Sequence, residues 1–155
     1  MLTHPDPCLR ISLLNEVIKG FLETPWKSSP EVLMGNVMAS KEFNTLGLSI
    51  PRQTGKTQTL KKIFLEDFLQ NNVALLVKLS HTKKEILDNV PKNLRQAVGA
   101  RIFLTVRELN AAEDVFPDNG KRNLLLADDY TVDGIYRSLD KKKYDVPIKV
   151  LALAT

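Results

Sequence analysis

The chain has 155 residues, of which 43% are hydrophobic and 26% charged, a composition typical of globular proteins and unlike that of disordered or collagen-like chains. This length predicts one domain with a short extension and enough residues to bury a core. The formal net charge of +4 permits an anionic partner without identifying one.

Residues 1–42 are predicted to form a helical N-terminal segment. Apolar side chains recur at helical spacing over residues 9–23, which indicates an amphipathic helix. Residues 25–30 are rich in helix breakers, and residues 31–40 are predicted to form a second short helix.

Residues 43–155 alternate short apolar runs with helical segments, the pattern of a parallel sheet with crossover helices. The predicted strands are 43–50, 73–79, 102–106, 123–127 and 148–154. The predicted helices are 56–70, 83–98 with a break at Pro91, 107–115 and 131–139. Because the strands are almost continuously hydrophobic, we expect both faces of the sheet to be covered. The predicted fold class is therefore α/β, with a mostly parallel five-stranded sheet.

The connection between the first predicted strand and the first long helix resembles a phosphate-binding loop. It reads Pro51-Arg52-Gln53-Thr54-Gly55-Lys56-Thr57. In such a loop the glycine lets the backbone approach phosphates, the lysine reaches the β- and γ-phosphates, and the hydroxyl contacts Mg²⁺. The helix that begins there adds free N–H groups and its positive dipole end. We therefore expect a P-loop NTPase-like domain that binds ATP and Mg²⁺ through residues 51–57.

Two carboxylates follow the fourth predicted strand and supply the metal-binding acid that a phosphate loop requires. Asp128 and Asp129 would lie at the carboxyl edge of the sheet, where ligands of open α/β folds bind. We expect Asp128 to hold Mg²⁺ together with Thr57. The pair is also compatible with a turn or helix cap, in which Asp129 caps a helix beginning near Tyr130.

The loop departs from the general P-loop pattern in a way that resembles one family. The first glycine of the pattern is replaced by Ile50, and Arg52 and Gln53 precede Gly55. This version resembles the ATPase domains of viral terminase large subunits, the motors that pump DNA into phage and herpesvirus capsids. The resemblance covers roughly residues 43–155.

The resemblance implies roles for individual residues. Arg52 would be a second phosphate-contacting cation and would act in catalysis with Lys56. Asp129 stands where these additional-strand ATPases usually carry the glutamate that polarises the attacking water. Thr155, at the end of the last predicted strand, would sense the γ-phosphate and couple hydrolysis to movement.

The resemblance also implies partners: double-stranded DNA, other viral packaging proteins or a missing C-terminal part, and a homo-oligomeric ring. The chain lacks an upstream glutamine-containing adenine motif, so Trp26 is the candidate for contacting the base. It also lacks an acidic cluster for a nuclease. No arginine follows the last strand, which leaves Arg107 and Arg137 as candidates for acting on a neighbour's nucleotide.

The sequence gives no indication of a membrane protein. Its apolar runs are far shorter than the roughly 20 residues of a membrane-spanning helix. The N-terminus, from His4 to Pro7, does not have the pattern of an export signal. The single cysteine, Cys8, excludes an internal disulfide and suits a reducing compartment. We therefore expect a cytoplasmic location, the host cytoplasm if the protein is viral.

Two weaker signals remain open. Ser80, His81 and Thr82 follow the second strand, where helicase-like ATPases often contact DNA, but Thr82 with Glu85 also fits a capping box, which we prefer. The basic run at residues 141–143 suits DNA binding or a solvated loop.

Three functional hypotheses follow. The leading one is a terminase-type Mg²⁺-dependent ATPase that powers DNA packaging when assembled with partners and hydrolyses ATP weakly alone. The second is a regulatory or protein-binding module that keeps the fold. The missing first glycine and the aspartate at position 129, where the family usually has glutamate, favour this hypothesis. The third is a helicase-like nucleic-acid ATPase, which shares the same motifs.

Overall fold

The computed structural model describes residues 7–24, 45–50, 55–140 and 146–154. The helices are α1 (Pro7–Glu23), α2 (Lys56–Asp67), α3 (Ser80–Asp88), α4 (Arg95–Gly99), α5 (Val106–Ala111) and α6 (Val132–Ser138). The strands are β1 (Thr45–Ser49), β2 (Asn72–Leu76), β3 (Ile102–Phe103), β4 (Asn123–Asp128) and β5 (Lys149–Ala154). A short 3-10 helix, Lys92–Leu94, precedes α4.

The five strands form one parallel sheet in the order β1-β5-β4-β2-β3. The last strand, β5, lies between β1 and β4, and its Leu151 pairs with Leu46 on one side and Leu126 on the other. The predicted fold class is confirmed: the chain is α/β with a five-stranded parallel sheet and crossover helices.

Helices cover both faces of the sheet at β2, β4 and β5, which explains why the middles of these strands are apolar. Along β4, Leu124 and Leu126 pack in the core that contains residues of α1 to α4, whereas Leu125 packs in the core that contains residues of α5 and α6. All six residues of β4 are buried. A strand with no solvent-facing side leaves no place for alternating polar residues.

The beginning of α3 differs from the predicted cap, and the beginning of α6 excludes the alternative in which Asp129 is a cap. α3 starts at Ser80 rather than Thr82, because Leu79 is extended and its carbonyl oxygen accepts the N–H of Thr82 at 3.1 Å. The capping box at Thr82 is therefore wrong. α6 is capped by Thr131, whose hydroxyl accepts the N–H of Gly134 at 3.1 Å, so Asp129 is not its cap.

Two predicted elements are shorter or more broken than expected. β3 has two residues, because Thr105 already caps α5 by accepting the N–H of Glu108 at 3.0 Å. The predicted helix 83–98 is divided into α3, the 3-10 helix and α4, with Pro91 preceding the 3-10 helix. The predicted second helix at 31–40 and the division at residue 42 lie outside the described residues.

None of the helices within the described residues is long and apolar enough to cross a membrane.

Candidate nucleotide site

The first residues of α2 form one side of the candidate site. Gly55 precedes the helix with φ 80°, in the left-handed region that glycine adopts without strain. Its carbonyl oxygen accepts hydrogen bonds from the backbone N–H and the hydroxyl of Thr59, both at 2.9 Å. Lys56, the first helical residue, is buried. The turn therefore places a buried lysine at the helix end that carries free N–H groups.

The end of β4 forms the other side. Asp128 is the last residue of the strand and is buried. Asp129 follows with φ 63°, a conformation that is uncommon outside glycine. Its N–H donates to the carbonyl oxygen of Leu153 in β5 at 2.8 Å. The neighbouring strand thus stabilises an unfavourable backbone conformation, a feature often found at functional sites.

Side chains from α2 meet both aspartates. Thr57 Oγ1 donates to Asp128 Oδ2 at 2.8 Å, and Lys56 Nζ lies 3.9 Å from Asp128 Oδ1. Lys56 Nζ also forms a hydrogen-bonded ion pair with Asp129 Oδ1. Lys56, Thr57, Asp128 and Asp129 therefore form one cluster. It joins two distant parts of the sequence, since Thr57 and Asp128 are 71 positions apart.

One carboxylate oxygen in this cluster is not satisfied by the described residues. Asp128 Oδ1 is buried and has no hydrogen-bond partner within the described part of the chain. Burial raises the pKa of the Asp128 carboxyl above its ordinary 3.8, against the opposing effects of the Thr57 hydroxyl and the Lys56 ammonium. A buried polar atom without a partner costs about 1–3 kcal/mol. A cation or a water molecule at this oxygen would offset that cost.

Thr57 and Asp128 fit Mg²⁺ by the chemistry of their oxygen atoms. No group of three or more His, Cys, Asp or Glu side chains in the described residues is placed to hold a metal ion. Mg²⁺, however, usually binds one or two carboxylates and completes its shell with phosphates and water. The pair therefore suits Mg²⁺ that arrives with a nucleotide.

Several predicted site residues lie outside the described residues. These are Pro51, Arg52, Gln53, Thr54 and Thr155, together with Trp26 and the basic run 141–143. Their predicted roles stay predictions.

The two candidate arginines lie elsewhere on the fold. Arg107 lines a cavity of about 400 Å³ with Tyr130 and residues of α5 and α6. Arg137 is exposed on α6. Neither is hydrogen-bonded or ion-paired to Lys56 or Asp129 within the described residues, and their predicted action on a neighbour's nucleotide stays a prediction.

Two cavities flank the start of α2, and no sequence pattern predicted either. A groove of about 740 Å³ begins at Gly55 and runs between α1 and α2. A smaller cavity of about 360 Å³ lies between α2 and α3 and is lined by Thr57 and Glu85. The predicted helices indicated no groove, because it depends on how α1 packs beside α2.

Comparisons of the chain with protein-family models, curated proteins and solved structures find no match. The loop sequence and the geometry of the cluster are therefore the features that bear on function.

Proposed function

We propose that the chain is a Mg²⁺-dependent ATPase of the P-loop type. One observation carries this proposal: Lys56 and Thr57 at the start of α2 meet the buried Asp128, whose Oδ1 has no hydrogen-bond partner among the described residues. A lysine, a hydroxyl and a carboxylate in this arrangement at the carboxyl edge of a parallel sheet are the groups that bind a nucleoside triphosphate with its metal.

Thr57 and Asp128 would hold Mg²⁺, which neutralises phosphate charge when bound. Lys56 has a second role, because its ammonium group is ion-paired with Asp129. A triphosphate would offer this ammonium new anionic partners. Asp129 would then be available to accept a proton from the attacking water, as its position after Asp128 suggests.

The proposal extends to a terminase-type motor. The loop with Arg52 and Gln53 before Gly55 supports it, and so does the placement of β5 between β1 and β4, the additional strand of this class. In this proposal ATP turnover powers the packaging of double-stranded DNA in the host cytoplasm. The chain would operate as a homo-oligomeric ring, together with other packaging proteins or a missing C-terminal part.

A specific observation favours a second candidate, a nucleotide-binding regulatory module. Asp129 is one methylene shorter than glutamate, and its carboxylate is ion-paired with Lys56. Its backbone has the unfavourable φ of 63° and is hydrogen-bonded to Leu153. A short carboxylate held in this way supports binding more readily than fast turnover.

The test is calorimetry of Mg²⁺–ATP binding, followed by phosphate release in the same samples. Lys56→Ala should weaken ATP binding at least about tenfold, because it removes a charge-assisted hydrogen bond to phosphate. Lys84→Ala, which removes an exposed lysine of α3, is the matched control and should bind like the unaltered chain.

Phosphate release separates the two candidates. Turnover that disappears in Lys56→Ala supports the ATPase, whereas tight Lys56-dependent binding without turnover supports the regulatory module. If Lys56→Ala binds ATP as tightly as the unaltered chain, both candidates are wrong.

A further inference from the structure

The groove between α1 and α2 is continuous with the candidate phosphate site. Gly55, the residue directly before Lys56, lines one end of the groove. The volume of about 740 Å³ falls in the range of roughly 300–1,000 Å³ that is common for small-molecule sites. A ligand bound at the start of α2 can therefore enter the groove directly.

The groove is lined by both polar and apolar side chains. Its lining includes the amides of Asn15 and Gln58 and the apolar side chains of Ile18 and Ile63, and Gln58 lies three residues after Gly55. Its charged residues are three acidic and three basic, so their formal charges cancel. Apolar side chains with a few hydrogen-bonding groups are the usual environment for an uncharged heterocycle.

The cluster indicates the direction in which a nucleotide would lie. The contact of Thr57 with Asp128 places the metal-binding groups on the side of α2 that faces β4. The small cavity beside Thr57 is lined by Lys61, Glu85 and Asp88, so its charged side chains are net negative, whereas those of the groove cancel. The small cavity is therefore the poorer environment for the rest of a nucleotide. The groove on the α1 side is larger and starts at Gly55.

We infer that the α1–α2 groove, which opens at Gly55, holds the base and ribose of the nucleoside triphosphate. The apolar side chains of Ile18 and Ile63 contact the base, and the amides of Asn15 and Gln58 bond its polar edge. An amide both donates and accepts, so it matches the mixed edge of a purine. This inference depends on the proposed function, because the phosphates of the same ligand bind at Lys56 and Thr57.

The test compares two ligands, ATP and inorganic tripolyphosphate, each with Mg²⁺, by calorimetry. Gln58→Leu removes the amide at similar size, and Asn15→Trp fills the groove from an exposed position of α1. Both variants should weaken ATP binding about tenfold, the effect of one lost hydrogen bond, and change tripolyphosphate binding less than about twofold. Gln70→Leu is the matched control, because Gln70 lines the same groove away from Gly55 and should affect neither ligand.

The outcomes separate this inference from the function on which it depends. Selective loss of ATP affinity in both variants supports the groove as the site of the base. If both ligands bind in a Lys56-dependent manner but Gln58→Leu and Asn15→Trp leave ATP affinity unchanged, the groove inference is wrong and the nucleotide site stands. If neither ligand binds to the unaltered chain, both are wrong.

Discussion

The buried carboxylate of Asp128 lies where it costs stability and where it can bind a cation. Its Oδ1 has no hydrogen-bond partner in the described residues, and burial is the main cause of its raised pKa. A carboxyl whose pKa is higher in the folded than in the unfolded chain binds its proton more tightly when folded. Stability is therefore lost as pH rises from the ordinary 3.8 through the raised value.

Asp128→Asn should raise the thermal stability of the ligand-free protein near neutral pH. The amide removes the desolvated charge and still offers an oxygen to Thr57, the donor that now bonds Asp128 Oδ2. The gain over the unaltered chain should shrink as pH falls toward 3.8, because the carboxyl then becomes neutral. Thermal unfolding at a series of pH values measures this difference.

The same variant should lose the stabilisation that Mg²⁺–ATP gives the unaltered chain, about 2.7 kcal/mol at a ligand concentration of 100 times Kd. Asp118→Asn, at an exposed position, is the control and should resemble the unaltered chain with and without ligand. An Asp128→Asn protein that is less stable without ligand, or equally stabilised by Mg²⁺–ATP, would contradict this account of the site.

At the scale of elements, the packing of α6 against β1 depends on a single glycine. A Cβ atom added to Gly47 would lie 2.5 Å from Val132 Cγ2, which is too close for a non-bonded contact between two carbon atoms. Gly47 pairs with Ala152 of β5, so small residues stand side by side on two neighbouring strands. The absence of a side chain at Gly47 lets the first turn of α6 approach the sheet.

Gly47→Ala should destabilise the protein by about 1–3 kcal/mol, the usual cost of overpacking. Val132→Ala removes the atom that the new methyl group meets, so the double variant should lose less stability than the sum of the two single losses. Denaturant unfolding of the four proteins gives this coupling energy. Gly20→Ala, inside α1 with no atom within 4 Å of the added methyl, should be stabilising. Additive losses at positions 47 and 132 would rule out the contact.

The elements themselves could be predicted well from the sequence, whereas their ends could not. Five apolar runs predicted five strands because a sheet covered on both faces needs apolar residues at most positions of its strands. The predicted cap at Thr82 was wrong, because capping depends on the backbone conformation of the preceding residues, and Leu79 is extended. The alternative in which Asp129 caps α6 is excluded, because Thr131 is its cap.

The same contrast applies to the candidate site. Lys56, Thr57 and the two aspartates were predicted as one site because phosphate and metal chemistry requires those groups on neighbouring elements. The amides of Asn15 and Gln58 gave no such signal, since polar residues on helix surfaces are common. Their proximity depends on the packing of α1, which local periodicity does not specify.

At the scale of the whole molecule, a buried lysine of the sheet holds α1 in place. Lys149 is 1% exposed, and its Nζ donates to the carbonyl oxygen and the hydroxyl of Thr24, both at 2.7 Å. Nζ also donates to the carbonyl oxygen of Phe21 and lies 4.6 Å from the centre of its ring. These contacts join positions at least 125 residues apart in sequence, and they satisfy carbonyl groups at the end of α1.

Lys149→Met should loosen the last turn of α1 while leaving the sheet intact, because it keeps the apolar stem and removes the donor. Amide hydrogen exchange in that turn should accelerate about tenfold or more, as expected for the loss of a charged hydrogen bond, without a change in β4. Lys121→Met, at an exposed loop position, should change neither. Uniform acceleration throughout the sheet would show instead that Lys149 supports the core as a whole.

The Lys149→Met variant should also change how stability depends on pH. Burial, and secondarily Arg122, lowers the pKa of Lys149 from 10.5 to about 8. Between these values the unfolded chain holds the proton that the folded chain has released, so the unaltered protein should gain stability relative to Lys149→Met as pH rises from 8 to 10.5.

Because α1 forms one wall of the proposed base site, Lys149→Met should also weaken ATP binding more than tripolyphosphate binding. Equal effects on the two ligands would mean that the position of α1 does not matter for the base.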